Sequence, residues 1–183
     1  MRLALSLLLA LGGLCGCASS PAARGPSSEW IARNGGISHG PEAARVEQIA
    51  HRFDGLLGGL SGAPVQVHVL KSTSPTAMAW PSGDIFLTQP LVALLSDNEI
   101  AAAIAHELGH LMTDHHIDPN AALTGSSKNE DAEIRADDAG LSLLSSSHTP
   151  PQSLGSALSK IVSFNQQHGT KSPQLTTRIA RLP

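Results

Sequence analysis

The sequence predicts an α+β domain in which helices pack on a small, mostly antiparallel sheet. Three observations carry that expectation. Val46, Ile49, Phe53 and Leu56 recur at three- and four-residue spacing, the mark of a helix with one buried face. Pro64 to Leu70 then alternates strictly, and Ala77–Trp80 and Ile85–Thr88 flank the turn Pro81-Ser82-Gly83-Asp84, so strand patterns gather in the first half. From Leu91 onward the patterns are helical. A chain of 183 residues is long enough for one domain with a real core.

Taken in order, the chain begins with a targeting segment. Met1-Arg2 precedes an apolar run from Leu3 to Leu14, shorter than the roughly 20 residues a membrane span needs but right for a signal peptide. The run ends in Leu14-Cys15-Gly16-Cys17, which resembles the bacterial lipobox, with Cys17 as the lipidated residue. Residues 1–16 therefore read as a lipoprotein signal peptide. Residues 17–28 read as an acylated (palmitate-type) Cys17 and a flexible Ser/Pro/Ala/Gly tether, and 29–183 as the functional domain. A plain secretory signal with two incidental cysteines is the alternative. Several acyl chains on Cys17 would anchor the protein stably. Ala18-Ser19 lacks the Asp of an inner-membrane retention signal, which favours the outer membrane, facing the periplasm. With a net charge of −3 and no long basic run, a nucleic-acid partner is not expected.

Gly40-Pro41 opens the first helix, which runs into the glycines at 58–62. In the strand that follows, Val65, Val67 and Val69 face inward and His68 reads as solvated on the polar face. The strand pair around Pro81–Asp84 ends at Gln89-Pro90, and Leu91 to Leu95 starts a helical turn. Ser96-Asp97-Asn98-Glu99 has the form of a capping box, and Ile100, Ile104, Leu108 and Leu111 give the helix it opens an apolar stripe. A second capping box, Ser127 to Glu130, opens a helix through Gly140. Pro150-Pro151 leads a helix with Leu154, Leu158, Ile161 and Val162 toward the core, and a last short helix covers Thr176 to Leu182.

The chemistry lies on the capped central helix, in His106-Glu107-Leu108-Gly109-His110. Residues four apart share a helix face, so His106 and His110 can present two imidazole nitrogens to one metal ion, with Glu107 beside them. A catalytic zinc takes three protein ligands and keeps one position open. Glu133 is the candidate third ligand. Asp137, one turn later on the same face, can accept the second N–H of a ligand histidine. A solvated acidic helix start, favoured by the helix dipole, is the plainer reading of Glu133 and Asp137.

His106-Glu107-Leu108-Gly109-His110 followed by Glu133-Ile134-Arg135-Ala136-Asp137 resembles the gluzincins of zinc metallopeptidase family forty-eight, which include HtpX-like heat-shock proteases and CAAX prenyl endoproteases. Ala77 to Thr88, His115, and Ser172-Pro173 through Leu182 are also similar to segments of that family. Two positions depart from it: Thr76-Ala77-Met78-Ala79 stands for Asn-Ala-Phe-Ala, and Ser172-Pro173 for His-Pro.

The resemblance implies a compact zincin-like fold and one Zn²⁺ held by His106, His110 and Glu133. It implies a zinc-dependent metalloendopeptidase acting on extended or unfolded proteins at the cell envelope. Glu107 is then the general base toward a water at the metal. A protein or peptide substrate would lie along the edge strand Ala77, Met78, Ala79 and Trp80. The chain has no Tyr, so a His or Arg must serve if a protein group is the oxyanion partner; the resemblance makes Arg178 the first choice for that catalytic role, by its matching position, with His168 behind it. A structural Arg178, salt-bridged or capping a helix, is the alternative. The second functional reading is a zinc-stabilised, weakly or non-proteolytic chaperone that assists outer-membrane protein assembly.

Overall fold

The computed structural model describes residues 25–57, 65–113 and 130–183. The signal segment, Cys15, Cys17, His115 and Ser127 to Asn129 of the second capping box lie outside the described residues.

Helix α1 (Ser28–Arg33) belongs to no expected element, since six residues are too few to display a period. Ser27 caps it by accepting the Trp30 N–H at 3.1 Å. The expected first helix is realised as α2 (Pro41–Ala50), a 3₁₀ turn (His51–Phe53) and α3 (Asp54–Leu57), with Pro41 at its first position and Val46, Ile49 and Phe53 buried.

Three strands follow: β1 (Gln66–Leu70), β2 (Ala77–Ala79) and β3 (Asp84–Thr88). Their order is β1-β3-β2, with β1 parallel and β2 antiparallel to β3. The sheet is therefore mixed rather than mostly antiparallel. The β1–β2 loop leaves a slot that β3 fills after a tight hairpin. In that hairpin Trp80 N donates to Asp84 O at 2.7 Å, and Gly83 adopts φ +94°, a conformation that side-chain-bearing residues resist.

Both faces of the sheet are covered. The main core lies toward α2 and the later helices; Trp30, Leu70, Met78 and Phe86 form a second cluster on the opposite face. That second cluster corrects the expectation for His68. It is not simply solvated: its ring stacks on Phe86 at 5.0 Å and its Nε2 lies 3.1 Å from Asp84 Oδ1. Residues 36–38 cover the C-terminal end of β1's outer edge, where Ser38 N donates to Val69 O at 2.7 Å and Lys71 N to Gly36 O at 3.0 Å.

After α4 (Gln89–Leu94), the central helix α5 (Asp97–Thr113) runs through the core. Helices α6 (Glu130–Ser146), α7 (Gln152–Gln167) and α8 (Pro173–Ile179) complete the described chain. The last of these starts three residues earlier than expected, because Pro173 suits a first helical position.

The capping box at the head of α5 does more than cap. Glu99, buried, accepts the Ser96 N–H at 2.7 Å, and also Ser156 Oγ and Lys160 Nζ from α7, each at 2.6 Å. Burial opposes its ionisation, but these hydrogen bonds prevail and hold the carboxyl down at about 2. The folded-state value lies below the ordinary 4.5, so Glu99 stabilises fully above 4.5 and loses that contribution as pH falls toward about 2. Glu99→Gln is expected to cost roughly 1–3 kcal/mol at neutral pH. Thermal melts of wild type and variant should converge across the acid window; a gap that persists below it would show that the charge is not what stabilises.

Candidate metal centre

Helix α5 places His106 and His110 one turn apart, with their Nε2 atoms 3.2 Å from each other. Helix α6 brings the third member. Glu133 Oε2 lies 3.4 Å from His106 Nε2, and Glu133 Oε1 lies 3.5 Å from His110 Nε2. One ligand atom from each of the three residues falls within 4.8 Å of the others, so a single ion can touch all three.

This convergence depends on how closely α5 and α6 approach. A Cβ at Gly109 would overlap the Ala136 carbonyl and sit 2.9 Å from Ala136 Cα; one at Gly140 would sit 3.3 Å from His106 Cα. The two glycines face across the same contact and set the helix spacing. Sequence reasoning did not assign them a role. The available signal was their place inside helices, where glycine costs about 1 kcal/mol relative to alanine.

Around the triad the polar groups are interlocked. Asp137 Oδ1 lies 2.9 Å from His106 Nδ1, so that nitrogen donates to it and Nε2 is left to face the other ligands. Arg178, delivered by α8, forks onto Asp137 through Nε at 2.8 Å and Nη2 at 2.6 Å, and its Nη1 donates to Glu133 Oε2 at 2.6 Å. This is the arrangement of the salt-bridged alternative: the guanidinium is turned onto two carboxylates of its own chain. His168 caps the end of α7, exposed and stacked on Phe164 at 4.1 Å.

The electrostatics favour a cation. Burial resists a charge on His106, but the hydrogen bonds to Asp137 and Glu133 dominate and push it up to about 9. What attracts a proton there attracts a metal ion in its place. Burial would raise Glu133 and Asp137, yet their bonds to His106 and the nearby guanidinium hold both carboxyls below the ordinary range. Glu107, 6 % exposed, is pushed up by burial, and among the described residues none donates a hydrogen bond to its carboxylate. Three carboxylates against one guanidinium leave the cluster two charges negative when the imidazoles are neutral. One divalent ion balances it, and a His/His/Glu donor set with oxygen and nitrogen ligands suits zinc.

Residues 41–127 match the sequence model of peptidase family M48, a little under half of the 183-residue chain. The matched stretch holds His106, Glu107 and His110 and ends before Glu133. A search of curated proteins found no match. The family match, joined to a His/His/Glu cluster that the fold completes from α6 and that could hold a metal ion, supports membership of peptidase family M48, the zinc metallopeptidases.

Proposed function

We propose that this domain is a zinc-dependent endopeptidase that cleaves extended or unfolded protein segments at the cell envelope, held there by a lipid on Cys17 at the outer membrane. The observation that carries the catalytic part is the convergence of His106, His110 and Glu133 with the buried carboxylate of Glu107 beside them. No described helix is long and apolar enough to cross a membrane, which leaves the anchoring role to the lipid in this reading.

The open edge of the described sheet supports an extended substrate. With the end of β1 covered by residues 36–38, β2 is the other edge strand of the described sheet, and α5 packs against it. Thr88 N donates to Thr76 O at 3.0 Å and Trp80 N to Asp84 O at 2.7 Å. Met78 lies in phase with both and turns its main-chain groups to β3, so Ala77 and Ala79 turn theirs outward. A peptide added there forms main-chain hydrogen bonds that unfolded segments can offer and folded ones cannot.

His106, His110 and Glu133 would hold the ion, with His106 oriented by Asp137. A bound zinc supplies Lewis acidity toward the scissile carbonyl and toward water. Glu107 accepts the proton of the attacking water and delivers it to the departing amine. Its low exposure keeps that proton from exchanging with bulk solvent and strengthens its field at the reacting atoms.

Metal removal tests this reading. The purified domain is expected to hold about one zinc per chain and to cleave casein. Cleavage should stop on chelation and return with added zinc. Undiminished cleavage by chelated, metal-free protein would remove the metal from the mechanism.

A further inference from the structure

We propose that Arg178 is a positioning residue and that α8 is a latch carrying it into the metal centre. The inference rests on the metal reading above, and it concerns ligand geometry rather than the reaction. Arg178 is the buried side chain of α8; the rest of that short helix is half-buried or exposed. Leu182, just beyond, packs against the main core near Gly155 and gives the segment its second hold.

The guanidinium plane matches its two targets. Glu133 and Asp137 lie one turn apart on α6, and Arg178 spans them, with Nε and Nη2 on Asp137 and Nη1 on Glu133. Each contact restricts one orientation. Holding Glu133 Oε2 keeps that carboxylate turned toward the histidine pair. Holding both oxygens of Asp137 keeps Oδ1 at the His106 Nδ1, which in turn keeps Nε2 aimed at the ligand position. A lysine would supply the charge but not the planar fork that holds both oxygens of Asp137 while reaching Glu133. The latch therefore sets two of the three metal ligands from the far end of the chain.

Cobalt loading of the full chain reads this out without relying on peptidase activity. Arg178→Lys, loaded with Co²⁺, is expected to show an altered visible spectrum and to lose cobalt to a chelator about 10–100-fold faster than wild type, the usual cost of disturbing a group that orients a ligand. Its kcat should fall by a similar factor with KM little changed, since the substrate strand lies elsewhere. Leu182→Ala leaves Arg178 in place and loosens α8, so it should speed cobalt loss in the same direction; it decides the matter if Arg178→Lys does not fold. A wild-type spectrum and release rate in the folded variants would reduce Arg178 to a counter-charge and overturn the latch. A wild-type chain that takes up no cobalt overturns the metal reading and the latch together. One that takes up cobalt but cleaves nothing overturns only the hydrolase reading.

Discussion

Glu107→Gln is expected to lower kcat by about 10²–10⁴-fold, the range that a positioned general base supplies, while zinc content stays at the wild-type level. The substitution keeps the shape of the side chain and removes only its capacity to take a proton. It should not weaken the fold. Burial raises the Glu107 carboxyl, so the charge costs stability in place, and the neutral amide relieves that cost. The melting temperature of the metal-free protein should be unchanged or higher. Measured together, cleavage, zinc content and melting temperature separate a catalytic loss from a folding loss. The same variant separates peptidase from chaperone. A chaperone would bind an unfolded protein equally well with Glu or Gln at this position, and its slow cleavage would not respond. Unchanged cleavage in Glu107→Gln removes this residue from the base role.

Glu133→Gln and Glu133→Ala are expected to lose zinc, and with it cleavage, by more than the roughly 10–100-fold that loss of an outer partner costs. His106→Ala should do the same. Gln keeps the volume and an oxygen but not the charge, and the cluster then falls to one negative charge, too few to balance a divalent ion. The Ala variant also strips Arg178 Nη1 of its acceptor, and the metal-free form should lose about 1.5–3 kcal/mol, as for a hydrogen bond to a charged group. Metal analysis after dialysis, with denaturant unfolding of the chelated protein, checks both. Full zinc retention by Glu133→Ala would return Glu133 to the plainer role of an acidic residue near a helix start.

Much of the site was legible because its parts are local. Two histidines four residues apart share a helix face whatever the rest of the fold does. Ser96 and Glu99 announce the start of that helix through a hydrogen bond from the Ser96 main-chain N–H to the Glu99 carboxylate, three residues on. Gly83 announces its hairpin through a backbone angle. Glu133 and Asp137 were legible as a pair on one face for the same reason, though not their distance from the histidines. Helix α1 and the cover it gives the second face of the sheet were not legible, nor was the pairing of His68 with Phe86 and Asp84 of β3.

The tertiary structure decided the rest. Whether β3 enters beside β1 in parallel or antiparallel sense depends on where a loop leaves room, and no periodicity within a strand encodes that. How near α6 comes to α5 depends on Gly109 facing Ala136 and Gly140 facing Ala105 and His106, relations between positions 27 to 35 residues apart along the chain. Between the two readings of Arg178 the sequence could not choose; the fold pairs it with Asp137 and Glu133, because buried carboxylates this close together need a cation between them. By itself the sequence determined the two histidines, the carboxylate beside them and the helix that presents all three, since spacing along a helix is set by covalent geometry and hydrogen bonding. Packing alone determined that Glu133 reaches them and that Arg178 pairs with it there, since distances between separate helices are set by which surfaces can touch.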